Sequence, residues 1–423
     1  MKNLKIKKPN IDLIKYTACF FAFVVLYNFL IINKCHLWSV DMITYTFHLV
    51  DFSFGFASKL LPGAIYHLFF KEVYPEQLNI YLTALMLVLF AFVAFCLAKL
   101  ILSRKSAQSR KTLCVLSLFF LSGPCTFAVF TDELGMLDTY WLFFSALFLI
   151  LVANKYLKFA LPLIFVLSLL VHFSFIFCYF IFFSLILLYR IVCEKDKKER
   201  ISLIIVFALG ILAVAALGLF LLLKEQDNLV YTMQAFNKEL DARNRFTNNT
   251  YYVYYDYAFY KHYEIGSASF AGIMKQPLIQ GDSLIASLIN PIYFQLRMMY
   301  ASYLEEPKRF AQLAGLVLLL CPLCVISFRY WIKKMKTARK AQKAVYWLML
   351  LQFPITLVFC LCFSPDVSRW LSHAFLIQFA LFFYVIYHQK EELEIKIEKN
   401  RVLKGILIGV YFVVYAFTYI NPF

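Results

Sequence analysis

Apolar runs of roughly 17 to 25 residues, the length a helix needs to cross about 30 Å of hydrocarbon, recur along this chain from one end to the other. They lie near 12–33, 79–102, 112–130, 138–153, 158–172, 174–190, 201–223, 310–330, 344–363, 369–388 and 403–420. Inside lipid a backbone must satisfy its own N–H and C=O groups, so such runs become helices. The expectation is an all-α polytopic integral membrane protein of about 11 transmembrane helices, forming a single membrane domain over residues 1–423. The apolar run from 158 to 190 is too long for one crossing. It is divided at His172-Phe173-Ser174, where a tight turn would put the imidazole at a membrane surface.

Composition agrees, since 62% of the residues are hydrophobic and only 16% are charged, far from a soluble globular profile. The net charge of +17 would suit nucleic acid, but its distribution argues otherwise. Segments 1–10, 103–111, 154–158, 190–200, 332–343 and 388–404 hold 26 Lys and Arg against 7 acids, whereas 34–78, 131–138, 224–309 and 364–369 hold 13 against 17. That alternation is what the positive-inside rule demands if the basic connections are cytoplasmic, with the N-terminus inside and the C-terminus outside a plasma membrane. No nucleic-acid partner is expected, because basic stretches such as KKMKTARKAQK are short loops with a topological explanation. The first span follows MKNLKIKKPN without an A-x-A-like cleavage site, and is expected to stay as an anchor.

The eleven cysteines fall nearly all within apolar runs. Cys321-Pro-Leu-Cys324 has redox spacing, yet inside an apolar helix it reads as soft packing. Cys35 alone lies in an outer connection, which argues against a disulfide-stapled ectodomain.

Two outer connections are too long to be mere turns. Residues 34–78 mix polar and large apolar residues at helical spacing, which suggests interfacial helices. There Asp41, His48 and Asp51 stand at i, i+7 and i+10, neighbouring parts of one helix face. Alternatively, Asp51 caps a second helix beginning at Phe52. The large loop near 224–309 carries the tyrosine-rich NNTYYVYYDYAFYKHYEIGS, readable as an interfacial belt or as a platform for sugars and lipid headgroups. Asn248-Asn249-Thr250 within it is a formal glycosylation sequon.

The short outer connections are the ones with unexpected charge. In FTDELGMLDTYW, Asp132, Glu133 and Asp138 sit between two apolar runs, as solvated turn residues and a helix cap or as part of a site. Asp366 and Arg369 in SPDVSRW are spaced for capping and an ion pair. With His172 these groups converge on one membrane face, and ionisable residues at the edge of a transmembrane bundle default to function. No P-loop, H-E-x-x-H or G-x-S-x-G motif is present. Pro124, Pro162, Pro291, Pro322 and Pro354 do not pair as the broken helices of an ion-coupled transporter would.

The order of features resembles the polytopic glycosyltransferase-C superfamily, and more closely bacterial membrane proteins of cell-surface glycan loci. The resemblance rests on Asp51 to Gly55 with Phe56 and Lys59, on Gly135 to Asp138, on His172-Phe173 and on Asp366 to Trp370. Lys59, Met136 and Phe173 stand where that pattern has Arg, Arg and Glu. What it implies is a transferase of surface-polysaccharide assembly on the extracytoplasmic face, taking its sugar from a polyprenyl-phosphate-linked donor. Its partners would be membrane lipid, that donor and a glycan acceptor. Asp51 or Asp41 would be the base, with His48 beside them. Arg369, Lys59, Arg243, Arg245 or Arg297 would meet the lipid phosphate. No cofactor is required, although a carboxylate set of Asp132, Glu133 and Asp138 would suit magnesium or manganese. Two other readings fit the layout: an O-antigen or exopolysaccharide-type polymerase, and a flippase or transporter of lipid-linked saccharide.

Overall fold

The computed structural model describes residues 10–224, 307–361, 367–393 and 401–417, with 278–280, 289, 293 and 296, and without 41, 55, 57, 124, 125, 128, 129, 132, 133 and 135. Among the described residues the regular structure is helical. In chain order the helices are α1 (Ile11–Tyr27, continued by a π turn Asn28–Ile32), α2 (Met42–Leu49), α3 (Leu61–His67), α4 (Pro75–Leu102), α5 (Ala107–Leu121) and α6 (Leu137–Ala153). There follow α7 (Leu161–Val171), α8 (Tyr179–Cys193), α9 (Lys197–Lys224), α10 (Pro307–Thr337), α11 (Lys340–Leu361), α12 (Val367–Gln389) and α13 (Arg401–Phe417).

Local sequence explains many of the boundaries. The Asn10 side chain accepts from the Leu13 N–H to start α1, and Ser106 does the same from Ser109 for α5. Pro62, Pro75 and Pro162 fall in the first turns of α3, α4 and α7, where a missing N–H costs nothing. Pro322 and Pro354 lie inside α10 and α11, a placement that apolar helices packed among neighbours tolerate.

The molecule is built for lipid. Large apolar side chains point outward along the long helices, with Leu318 72%, Ile80 71% and Leu212 65% exposed. Such a girdle would be an aggregation liability in water and is the expected surface in hydrocarbon.

The count of crossings is corrected. Among the described residues five stretches are long and apolar enough to span, Ile11–Ile32, Pro75–Leu102, Lys197–Leu221, Ala314–Thr337 and Arg369–Gln389, against the about eleven expected. Several expected spans are short helices: α6 and α13 have 17 residues, α5 and α8 have 15, and α7 has 11. At ~1.5 Å per residue, 15 residues reach only about 22 Å. Hydropathy registers apolar residues whether or not they belong to one continuous helix, and here 3₁₀ turns at Leu157–Ala160 and Phe173–Phe177 divide the run from α6 to α8. The division at His172 is seen: α7 stops at Val171, and His172 is extended, with φ −166° and ψ 140°.

Packing brings α1 against α4, α11 against α12, α9 against α7 and α8, and α10 against α11. Side-chain contacts then sort the connections by end. Arg104, buried after α4, donates to the carbonyls of Ile386 and Glu391, and Glu391 also takes Lys334 and the Tyr330 hydroxyl. Gln389 Nε2 donates to the Tyr346 hydroxyl, and Gln342 Nε2 donates to Cys193 Sγ at 3.6 Å. Lys158 pairs with Glu199 at 2.6 Å. The basic connections at 103–111, 154–158, 190–200, 332–343 and 388–393 therefore share one end of the bundle. At the other end Tyr27 donates to the Ala416 carbonyl and accepts from the Gly123 N–H, and the Thr131 hydroxyl donates to Asn28. Helix α1 thus begins at the basic end, and α13 finishes at the opposite one.

Candidate functional site

At the end away from the basic connections, the first turn of α6 acts as a hub. Asp138 is its second residue and is 1% exposed, held in a helix start that carries no side-chain cap. The first turn of α12 presents Arg369 and, one turn later, His373 on the same face. Arg369 Nε lies 2.6 Å from Asp138 Oδ2, and His373 Nε2 lies 3.0 Å from the same oxygen. A carboxylate can only accept, so Nε2 carries the proton, and His373 Nδ1 meets the Tyr179 hydroxyl of α8 at 2.8 Å. Trp141, on the next turn of α6, closes the cluster. Its ring stands edge-on to His172 and tilted to Tyr179, and its Nε1 donates to the Ser168 carbonyl at 2.8 Å.

A second set of contacts leaves α6 on the side of the 34–78 connection. Tyr140 meets His48 Nε2 of α2 at 2.7 Å, and His48 Nδ1 lies 2.7 Å from the Thr44 carbonyl. The carbonyl only accepts, so Nδ1 holds the ring proton and Tyr140 donates to Nε2. Tyr140 is also bonded to the Tyr81 hydroxyl of α4. Burial pushes the His48 imidazole down to about 4, opposed by the Thr44 carbonyl and reinforced by neighbouring His67. His48 is therefore a neutral core group.

Asp51 is placed differently from the expectation of one continuous helix face. Helix α2 ends at Leu49, and Asp51 instead starts the 3₁₀ turn Phe52–Phe54, its Oδ1 accepting from the Ser53 N–H at 2.8 Å. The capping alternative describes it. Its other oxygen lies 3.9 Å from His67 Nε2, and the two side chains keep 18% and 13% of their surface exposed. His67 Nδ1 sits 3.0 Å from the Phe70 carbonyl, so in the neutral ring Nε2 is the nitrogen with a lone pair facing Asp51. Lys59 adopts φ +70°, and its N–H donates to the Leu170 carbonyl at 2.9 Å, which fastens this loop to the end of α7.

No family model, characterised protein or solved structure matches this chain.

Of the residues singled out in the sequence, Asp138, His172 and Arg369 are gathered in one cluster, and His48 joins it through Tyr140. Asp51 and Lys59 belong to the loop packed on α7 and on the end of α9, where Phe56 meets Phe220. Asp41, Asp132, Glu133, Arg243, Arg245, Arg297 and Asp366 lie outside the described residues, as does the tyrosine-rich stretch. Of the carboxylates suggested for a divalent ion, Asp138 is described, and its Oδ2 is shared between Arg369 and His373. Sequence reasoning missed His373, Tyr179, Tyr140 and His67. A signal existed for the first: His373 follows Arg369 by four residues, one helical turn, in an apolar helix.

The two groupings differ chemically. Asp138 with Arg369 and His373 is a charge-compensated, desolvated network with its geometry fixed from three helices. Asp51 with His67 is a partly exposed carboxylate and imidazole on the loop rim, residue types that can move a proton.

Proposed function

We propose that the protein is a membrane glycosyltransferase that uses a polyprenyl-phosphate-linked sugar on the extracytoplasmic face, in the assembly of a bacterial surface polysaccharide. The observation that carries this reading is the Asp51–His67 pair, 3.9 Å apart at the partly exposed rim of the first outer loop. In this reading Asp51 accepts the proton of the acceptor hydroxyl as it attacks the anomeric carbon, and His67 relays it. The departing polyprenyl phosphate carries the pair of electrons from the cleaved glycosidic bond and is met by a cation of the loop, Lys59. The end holding Asp51, His172 and Arg369 is the extracytoplasmic one, and the basic end faces the cytoplasm, as the positive-inside rule requires. The N-terminus is then cytoplasmic and the C-terminus outside, in the plasma membrane.

The test is sugar transfer by the purified protein in liposomes carrying a polyprenyl-phosphate-linked donor. Loss of a positioned base typically costs 10²- to 10⁴-fold, and Asp51→Asn is expected to lower transfer by about 100-fold or more without lowering its abundance. A fully active Asp51→Asn protein would remove the assignment.

A polymerase joining lipid-linked repeat units is the second reading, favoured by the meeting of Arg369 and His373 at one carboxylate. It gains if His373→Gln, folded and abundant, stops glycan growth while Asp51→Asn does not.

A further inference from the structure

The basic end of the bundle contains a feature that the transferase reading leaves unused. Where α8 ends and α9 begins, against the turn from α10 to α11, lies a cavity of about 510 Å³ lined by Cys193, Glu194, Lys195, Arg200, Arg339 and Gln342. The cavity is built by packing: α9 and α11 both lie against α8, and the Gln342 amide fastens the start of α11 to Cys193 at the end of α8. Three cations line it, Lys195 and Arg200 from the α8–α9 connection and the start of α9, and Arg339 from the α10–α11 turn. Its one lining carboxylate, Glu194, is engaged by the backbone, with Oε1 accepting from the N–H groups of Lys195 and Asp196 at 2.8 and 3.0 Å. The other acids close by are also committed, Glu199 to Lys158 and Asp196 to the Lys198 N–H. Among the described residues no carboxylate stands within ion-pair distance of Lys195, Arg200 or Arg339.

Three cations against one lining carboxylate leave the cavity net cationic, and guanidinium groups in such a place select a phosphate, which they can bind bidentately. The surroundings name the source of that phosphate. In the turns that follow Arg200, α9 exposes Ile201, Ile204, Ile205 and Leu209. After Arg339, α11 exposes Trp347, Leu348 and Leu351. A polar, cationic pocket continued by two outward apolar helix surfaces matches a headgroup with its acyl chains, whereas a soluble phosphate would need only the pocket.

We propose that this pocket binds the phosphodiester headgroup of an anionic phospholipid from the leaflet at the basic end. The bound lipid bridges α8, α9 and the α10–α11 turn, and offsets the excess of cations over the single lining carboxylate. The site lies at the opposite end of α8 from Tyr179 and His373, and does not depend on the transferase reading.

The test uses full-length protein in detergent, titrated with phosphatidylglycerol, phosphatidylcholine or inorganic phosphate, with retained lipid counted by native mass spectrometry. Each arginine that loses its charge-assisted contact to the phosphodiester removes a strong hydrogen bond, so Arg200→Gln with Arg339→Gln is expected to weaken phosphatidylglycerol binding roughly 30-fold. Lys336→Gln with Lys340→Gln, exposed positions outside the pocket, removes the same charge without removing a headgroup contact and is expected to change it less than about 3-fold. Both arginines are exposed, so the variants should keep the wild-type elution volume and melting temperature in phosphatidylcholine, which separates lost binding from lost folding. Equal affinity for phosphatidylcholine, equal loss in both double variants, or inorganic phosphate displacing the lipid at equal concentration would overturn the proposal.

Discussion

Arg369 and Asp138 join the starts of α12 and α6 through a 2.6 Å contact in which the carboxylate is 1% exposed and the guanidinium 16%. Two helices far apart in the chain are thereby held by an ion pair whose carboxylate is shut away from water.

Breaking such a pair from one side leaves a buried charge without its counter-charge, which costs about 3–5 kcal/mol. Arg369→Ala and Asp138→Ala are each expected to lower thermal stability strongly, and the double variant to lose less than the sum. A melting-temperature cycle on the four proteins checks this, and strict additivity would mean that the two side chains do not interact.

His48 gives the fold a pH dependence with a definite sign. Its imidazole is held at about 4 by burial, below its ordinary value near 6.5, so the unfolded chain binds its proton first. Stability from this group is complete above about pH 6.5 and is lost as the pH falls through about 4. The wild type should lose melting temperature across that window, and His48→Gln should flatten the loss. An identical slope in both proteins would show that another group controls it.

If Asp51 and His67 share a proton, their substitutions should separate in kinetics. His67→Gln is expected to lower kcat for transfer about 10-fold with little change in KM for the donor. An unchanged kcat would reduce His67 to packing.

Gly123 adopts φ +101°, and a Cβ there would come within 2.1 Å of the Tyr415 ring. Its N–H also donates to Tyr27, which holds the end of α13 through the Ala416 carbonyl. Gly123→Ala is expected to cost about 2–4 kcal/mol from backbone strain and overpacking together. Tyr27→Phe should cost about 1–2 kcal/mol by removing the bridging hydroxyl alone. Protease accessibility of α13 in the two variants reports both losses.

How much of this was legible in the sequence varies with the kind of signal. The lipid-facing, all-helical character and the pairing of charged connections by end follow from composition and charge alternation, which act over many residues. The break at His172 was legible because an apolar run of that length exceeds the hydrocarbon. The lengths of α7 and α8 were not, since hydropathy is blind to the 3₁₀ turns that interrupt an apolar helix. The early end of α2 depends on Ser53 bonding the Asp51 carboxylate, and on α3 packing so closely that a Cβ on Gly63 would stand 1.7 Å from the Val50 carbonyl oxygen. Arg369 and Asp138 were marked as costly charges of one membrane face, but their direct contact, and the part of His373 and Tyr179 in it, exist only in three dimensions.

The separate contacts Lys158–Glu199, Gln342–Cys193, Gln389–Tyr346 and Lys334–Glu391, with Arg104 on the Glu391 carbonyl, lie along one rim of the bundle and work as a hem. Sliding α11 lengthwise would tear its stitches to α8 and to the end of α12 together, whereas tilting about this rim strains them less. Movements of the bundle should therefore be swivels about the hem, widest at the opposite rim, where Asp51 and Arg369 reside.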